Sequence, residues 1–379
     1  MPTLLVLSAY DTDSHRRLRE GLAEALPAFA VETVALPPRH YAWRAGGSAL
    51  AFADAVPRRP FDVLLAMGPV DLSALLGLRP ELAGARRLLY VHEHEFAYPD
   101  NPREQGRVDR QMRQLLALLA ADVVLTNSRW CADSLLDGAG RLLARMPDAV
   151  PAGTLTEIAG RIVVEPVPLP DALFAQARPS APFTGDRVEI VWNHRHEWDK
   201  GPDRLPPLLE TLHAAGLPFR FHLLGRRFRA QPPALAEVEA FLDAHPRHRG
   251  ETGRLVDEGA YRARLAAADV VLSTALQEFQ GLAVMEAVVC GCVPCVPDRL
   301  AYRDWVPAAF RAPSAPDDPV ADGRALGMRI IALAEAARRG ERPTGPALED
   351  HAWSRRAARW RALLDPESGP GEPGHEDPP

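Results

Sequence analysis

The stretch Ser273–Cys295, STALQEFQGLAVMEAVVCGCVPC, decides how this chain is read. It opens on the end of an apolar run, Ala268-Asp-Val-Val-Leu-Ser-Thr274, which reads as a buried strand. The polar patch Gln277–Gly281 breaks that run. Beyond it, Leu282, Met285, Val288 and Val289 recur at helical spacing. The pattern predicts a strand–loop–helix unit with Glu278 and Gln280 in the loop and Gly281 at the helix entrance. A helix N-terminus offers free N–H groups and partial positive charge, which together receive phosphate. Glu286 falls within the helix, on the face that follows the loop. In an isolated unit two such glutamates are ordinary solvated side chains. Flanking an anion-binding helix end, they suit a sugar nucleotide, one carboxylate for the hydroxyls on either side.

The same alternation runs outward along the chain. In the first half Thr3–Ala9, Phe61–Met67, Leu88–His92, Ala121–Asn127 and Arg161–Pro166 read as strands. Helices fall between them, notably His15–Leu26 and Gln105–Ala120. Buried apolar strands alternating with helices predict parallel, doubly wound α/β sheets. Pro166–Pro182 has five prolines and no periodicity, and reads as a linker. A second series then starts with Val188–Trp192, Phe219–Leu224, Val270–Thr274 and Val293–Val296. The expected organisation is a Rossmann-like domain over 1–168, a linker over 169–185 and a second Rossmann-like domain over 186–349. A terminal helix over 350–364 packs back, and a disordered tail covers 365–379.

Composition narrows the function classes. A chain of 379 residues calls for two domains, and 47% hydrophobic with 25% charged residues is ordinary for a globular protein. No apolar run approaches the ~20 residues that span a bilayer. Met1-Pro-Thr-Leu-Leu-Val-Leu7 has no basic flank or cleavage pattern, so it reads as a strand and the expected location is cytoplasmic. Three of the four cysteines crowd into Cys290-Gly-Cys292-Val-Pro-Cys295, which reads as small buried thiols in a tight turn and not as a metal half-site. A net charge of −6 gives no global electrostatic case for nucleic acid, so such a partner must be met by a local patch. Among 44 basic residues there is a single lysine, Lys200. A compact ammonium on a flexible stem differs from the planar arginine fork, so its position matters.

Ligands of doubly wound sheets bind at the carboxyl ends of strands. Trp192-Asn-His-Arg-His-Glu-Trp-Asp-Lys-Gly-Pro202 follows one strand and places Arg195 and Lys200 in its loop. Preorganised cations there stabilise the charge on a departing diphosphate. In the first half, Leu88–Val91 ends in His92-Glu-His-Glu-Phe-Ala-Tyr-Pro99. His92 and Glu93 are placed for sugar contacts and proton handling, with His94 and Glu95 weaker candidates.

The pair Glu278 and Glu286, seven residues between them, resembles the signature of retaining glycosyltransferases of the GT-B fold, in which two Rossmann-like domains face across a cleft. That resemblance implies Glu278 on the donor sugar, Glu286 on the ribose, Arg195 and Lys200 on the diphosphate, Gly281 at the donor-binding helix end, and His92 beside the sugar. It implies no required metal and no resident cofactor. Ser8–His15, Pro37–Arg44, His92–Pro99, Trp192–Pro202 and Glu278–Pro297 together resemble the tRNA-queuosine mannosyltransferase family, over residues 3 to about 364. The implied reaction moves a hexose, mannose from GDP-mannose in the animal enzymes, onto the cyclopentene diol of queuosine in the anticodon of tRNA for aspartate. Ser14, His15, Arg39, Trp43, Arg44 and Glu93 are then the acceptor-side candidates, with queuosine-containing tRNA the partner. Further arginines, Arg16, Arg17, Arg103, Arg107, Arg110 and Arg113, lie in the same half. One departure stands out: Asp11-Thr-Asp13 replaces the family's glycines before Ser14-His15. A glycosyltransferase for a small-molecule, lipid or glycan acceptor stays open, as does a silent scaffold that only binds nucleotide or tRNA.

Overall fold

The computed structural model describes residues 1–97, 107–175, 182–341 and 343–367. Tyr98, Pro99, Arg103 and Gln105, Pro179, and the tail beyond 367 lie outside the described residues, as does the side chain of Arg107. The chain divides into two compact units, Met1–Pro168 with His351–Pro379, and Leu169–Asp350.

The first unit alternates β1 (Thr3–Ser8), α1 (Asp13–Ala25), β2 (Ala30–Ala35), α2 (Tyr41–Ala55), β3 (Val63–Met67) and α3 (Leu72–Leu78). It continues through β4 (Arg86–Val91), α4 (Arg107–Ala120), β5 (Val123–Thr126), α5 (Arg129–Ala144), α6 (Thr154–Ala159) and β6 (Ile162–Val164). Among the described residues its strands form one parallel sheet in the order β2-β1-β3-β4-β5-β6. The central β3, VLLAM, is buried throughout, which is why its sequence is a continuous apolar run. The order reverses between β1 and β3, so their loops open a crevice at the carboxyl edge.

The second unit runs α7 (Asp171–Phe174), β7 (Val188–Asn193), α8 (Leu205–Ala214), β8 (Phe219–Leu224), α9 (Ala234–Ala244), β9 (Arg249–Gly253) and α10 (Glu258–Ala266). Then come β10 (Val270–Leu272), α11 (Leu282–Val289), β11 (Val293–Pro297), α12 (Tyr302–Trp305), β12 (Arg311–Ala312) and α13 (Pro319–Arg338). Its sheet order is β12-β11-β10-β7-β8-β9, so the reversal falls between β7 and β10. Successive side chains of β7 point to opposite faces. Ile190 and Trp192 pack with Leu205, Leu208 and Ile330 on one side, while Val191 packs with Val271, Val284 and Met285 on the other.

The proline-rich stretch is more than a connector. Leu169 and Leu173, the latter on α7, are buried in the second unit's core. The final helix, α14 (Trp353–Leu363), belongs to the first unit. Its Trp360 is fully buried on Tyr90, with ring centroids 5.8 Å apart. Its Arg356 and Arg359 reach the buried Glu165 carboxylate at 3.5 and 2.6 Å. All four cysteines are buried and unbridged.

Candidate active site

The second unit assembles its charged loop from the two strands that flank its switch point. Trp192, the next-to-last residue of β7, donates its indole N–H to Thr274 Oγ1 (2.9 Å), and that hydroxyl donates to the Lys200 carbonyl (2.7 Å). The N–H groups of Leu276 and Gln277 both donate to the Asp199 carbonyl. The loop after β7 is thereby fastened to the loop after β10. Gly201 sits at the joint with φ of 58°, and a Cβ there would lie 2.3 Å from the Thr274 carbonyl oxygen, so only glycine fits.

This fastening brings Lys200 and Glu278 together. Lys200 Nζ donates to the Gln277 carbonyl at 2.9 Å and lies 3.2 Å from Glu278 Oε2 and 3.1 Å from Asp199 Oδ2. Burial alone pulls the Lys200 ammonium down, but Glu278 and Asp199 outweigh it and hold the group above its ordinary value. For Glu278 burial pushes up, while the Lys200 ammonium pulls harder and leaves the carboxyl below the usual range. Both groups are charged at neutral pH. Arg195 is half-exposed and pairs with Glu197 at 2.8 Å, within 3.9 Å of Asp199. His194 is buried, and burial brings it down to about 4, so it is neutral.

The helix entrance is as the spacing predicts. Gly281 caps α11 with φ of 89°, and a Cβ there would lie 3.0 Å from the Tyr302 ring. One detail differs from the expectation of an open helix end: Glu278 Oε1 accepts the Gly281 N–H at 3.1 Å, so the side chain itself occupies part of the N-terminal donor set. Glu286 lies inside α11, buried, with the Tyr261 hydroxyl 3.5 Å from its Oε2. Asn193 Nδ2 donates to that hydroxyl and to the Ala283 carbonyl, linking the β7 end to α11.

Behind these loops lies a network that the sequence did not announce. Asp322, fully buried on α13, accepts from Arg204 Nε (3.0 Å) and Arg299 Nη1 (3.0 Å). Arg299 also donates to the carbonyls of Ala275 (2.9 Å) and Thr274 (3.3 Å). Asp322 therefore ties the segment after Lys200 to the segment before Glu278. Asp199, Arg204, Arg299, Asp322, Tyr261 and Asn193 were all missed. Only Asp199, beside the lone lysine, carried any signal.

The first unit gathers different chemistry at its own carboxyl edge. His92 follows β4 and is buried, as is the acceptor-side candidate His15 on α1. The two rings stack with centroids 3.9 Å apart. Asn127 Nδ2 donates to the His92 carbonyl at 2.9 Å. Ser14 is half-buried, its hydroxyl 3.2 Å from that of Thr12. The two aspartates that replace glycines are both paired: Asp11 with Arg19 Nη2 at 2.9 Å, and Asp13 with Arg16. Their charge is thus answered from α1 itself.

Glu93 lines a concavity with Tyr41, Gly68, Asp71, Glu95 and Arg110. Glu95 accepts from the Tyr41 hydroxyl (2.6 Å) and from Arg110 Nε (3.0 Å), and Arg113 Nη1 lies 3.3 Å from Asp71. Arg110, mostly buried, is thereby committed to Glu95, whereas Arg113 pairs with Asp71 and keeps its side chain 46% exposed. The exposed basic and aromatic group is elsewhere: Arg39 is exposed, Trp43 is 81% exposed, and Arg44 is partly exposed. Among the described residues no cluster of His, Cys, Asp or Glu is arranged to hold a metal ion, and no helix is long and apolar enough to cross a membrane.

Two parallel doubly wound units, with paired acid and base at the second unit's switch point, define the GT-B glycosyltransferase fold. Similar solved structures include sucrose-phosphate synthase from Thermosynechococcus elongatus, with TM-score 0.64 at 15% identity over 96% of this chain and 98% of that one. Anabaena HepE in complex with UDP is similar too, with TM-score 0.61 at 12% identity over 96% and 95%. The chain belongs to the tRNA-queuosine alpha-mannosyltransferase family. Residues 3–169 match the family model for the N-terminal region of those enzymes. Over 313 residues the chain is 31% identical to the tRNA-queuosine alpha-mannosyltransferase of Drosophila melanogaster, covering 81% of this chain and 82% of that relative.

Proposed function

We propose that this protein is a retaining glycosyltransferase of the cytoplasm that moves mannose from GDP-mannose onto queuosine at the wobble position of tRNA for aspartate. The family assignment supports the acceptor and the sugar. The observation that carries the chemistry is the Lys200–Glu278 pair, held charged at the second unit's switch point.

When the bond between the sugar's anomeric carbon and the diphosphate breaks, negative charge grows on the leaving phosphate. Lys200 and Arg195 stabilise that charge, together with the unpaired N–H groups at the start of α11. The attacking queuosine hydroxyl forms the new bond to the anomeric carbon and passes its proton to the departing phosphate oxygen, and GDP leaves. Glu278 orients the sugar hydroxyls, and Glu286 accepts hydroxyls of the ribose, aimed by Tyr261. His92 meets the transferred sugar as an uncharged imidazole, since burial and the neighbouring His15 hold it well below its ordinary value. Arg39, Arg44 and Trp43 supply phosphate and base-stacking contacts to the anticodon arm, as arginines and exposed aromatics do for single-stranded RNA. Glu93 and Ser14 complete the acceptor side. The test is transfer of labelled mannose from GDP-mannose to tRNA, resolved by nucleoside mass spectrometry.

A further inference from the structure

At the carboxyl edge of the first unit lies a set of buried polar atoms that the protein leaves unanswered. Both ring nitrogens of His92, Nε2 of His15, the Ser8 hydroxyl and Oδ1 of Asn127 have no hydrogen-bond partner among the described residues. Leaving such groups unpaired is costly unless something else satisfies them. The proposed substrate has many hydroxyls, and the nitrogens of His92 are the ones it would use. What needs explaining is how that ring is held, because its own nitrogens hold nothing.

We propose that His15 is the positioning residue for His92, fixing its ring so that the unpaired nitrogens meet the substrate in one orientation. This rests on the reading that His92 contacts the transferred sugar. Three contacts make His15 a rigid backing. Its ring stacks on His92 at 3.9 Å with 32° between planes. Its Nδ1 is 2.7 Å from the Thr12 hydroxyl, which stops the ring from turning. Its Nε2 edge faces Gly68, where an added Cβ would lie 2.5 Å from that nitrogen, so the glycine is the space the ring occupies. Tyr90 also packs on His92, with centroids 4.5 Å apart and planes tilted by 48°, and Tyr90 is fixed by its hydroxyl donating to the Glu165 carbonyl at 2.7 Å. His92 is thus in contact with two aromatic rings, one from α1 and one from β4, with its backbone carbonyl held by Asn127.

The titratable neighbours agree with this arrangement. His15 is brought down to about 4 by burial, against the opposing pull of Asp11, and that carboxylate is itself paired with Arg19. The two rings therefore stack as neutral groups at working pH, without mutual repulsion.

The test uses the full-length protein with histidine rings labelled with 15N, the His92 signals being assigned from a His92→Gln sample. His15→Ala and Gly68→Ala, the second of which displaces His15 without removing it, should both change the 15N shifts of His92. They should lower kcat for transfer by about tenfold or more while leaving affinity for free GDP unchanged. Thr12→Val, which deletes one hydroxyl and no ring, should fold in any case and lower kcat between about two- and tenfold, as for one lost hydrogen bond. Unchanged His92 shifts in His15→Ala, or wild-type kcat in His15→Ala and Thr12→Val, would overturn the proposal. Wild-type activity in His92→Gln would instead remove the sugar-contact role on which it rests.

Discussion

Replacing Lys200 by alanine removes the chain's only ammonium side chain from between two carboxylates, which lowers the rate and carries a cost in stability that grows with pH. Mutational loss of one preorganised donor to a developing oxyanion costs about 10²–10³ in kcat. That range is the expected loss here, because Lys200 Nζ is fixed by the Gln277 carbonyl, Glu278 and Asp199 before any substrate arrives. Breaking a fully buried ion pair costs about 3–5 kcal/mol, and an exposed one about 0.2–1 kcal/mol. Lys200, Glu278 and Asp199 are 12%, 18% and 23% exposed, so about 2 kcal/mol at neutral pH is the intermediate expectation. In the wild type the Glu278 carboxyl is depressed, so its contribution to stability is present above the unfolded value near 4.3 and is lost as pH falls through the folded one. Without Lys200, burial governs and raises it, so the unpaired carboxylate is a burden at high pH that protonation relieves. Lys200→Ala should therefore be more destabilised relative to wild type at pH 8 than at pH 5. Lys200→Ala/Glu278→Gln should recover part of the stability and none of the rate. The assay is denaturant unfolding at both pH values beside single-turnover transfer. A folded Lys200→Ala protein with a rate within twofold of wild type would refute the reasoning.

Glu286→Gln should weaken binding of free GDP, measured by calorimetry, whereas Glu278→Gln should spare it and impair transfer; equal wild-type binding by both would remove the ribose role. His15 and His194 at about 4, and His94 at about 3, are neutral in the fold and charge in the unfolded chain below about 6.5. Stability should therefore fall as pH drops from about 6.5 toward 4, by up to about 1.4 kcal/mol per pH unit for each, and a flat unfolding profile across that window would contradict it. Arg39→Ala and Arg44→Ala should each reduce the salt slope of tRNA binding by about one phosphate contact, and Trp43→Ala should cost about 1–3 kcal/mol. A salt slope unchanged in all three would place the tRNA elsewhere.

The sequence made the buried strands legible and hid most of the edges. β1, β3, β4 and β7 are near-continuous apolar runs because helices or neighbouring strands cover them, and a run of that kind announces itself. The three strands not foreseen, β2, β9 and β12, are three of the four sheet edges, the fourth being β6, which lies within the expected Arg161–Pro166. AVETVA and RGETG carry polar residues because one flank of each meets solvent, and β12 is two residues long. At the site, Lys200 and Glu278 were readable because strand ends and spacing put them in facing loops. Asp322, 122 positions beyond Lys200 and 44 beyond Glu278, was not, since nothing local marks an aspartate in a helix as the tie between two distant arginines. His15 was placed with the acceptor on the family resemblance of Ser8–His15. Its burial against His92 comes from the register that sets β1 beside β3 and β3 beside β4, which no local pattern contains.

The most direct measurement offers the purified protein GDP-mannose with queuosine-containing tRNA for aspartate beside the same tRNA lacking queuosine. Nucleoside mass spectrometry should show a hexose added to queuosine in the first and nothing in the second. Transfer to neither, or equally to both, would contradict the account.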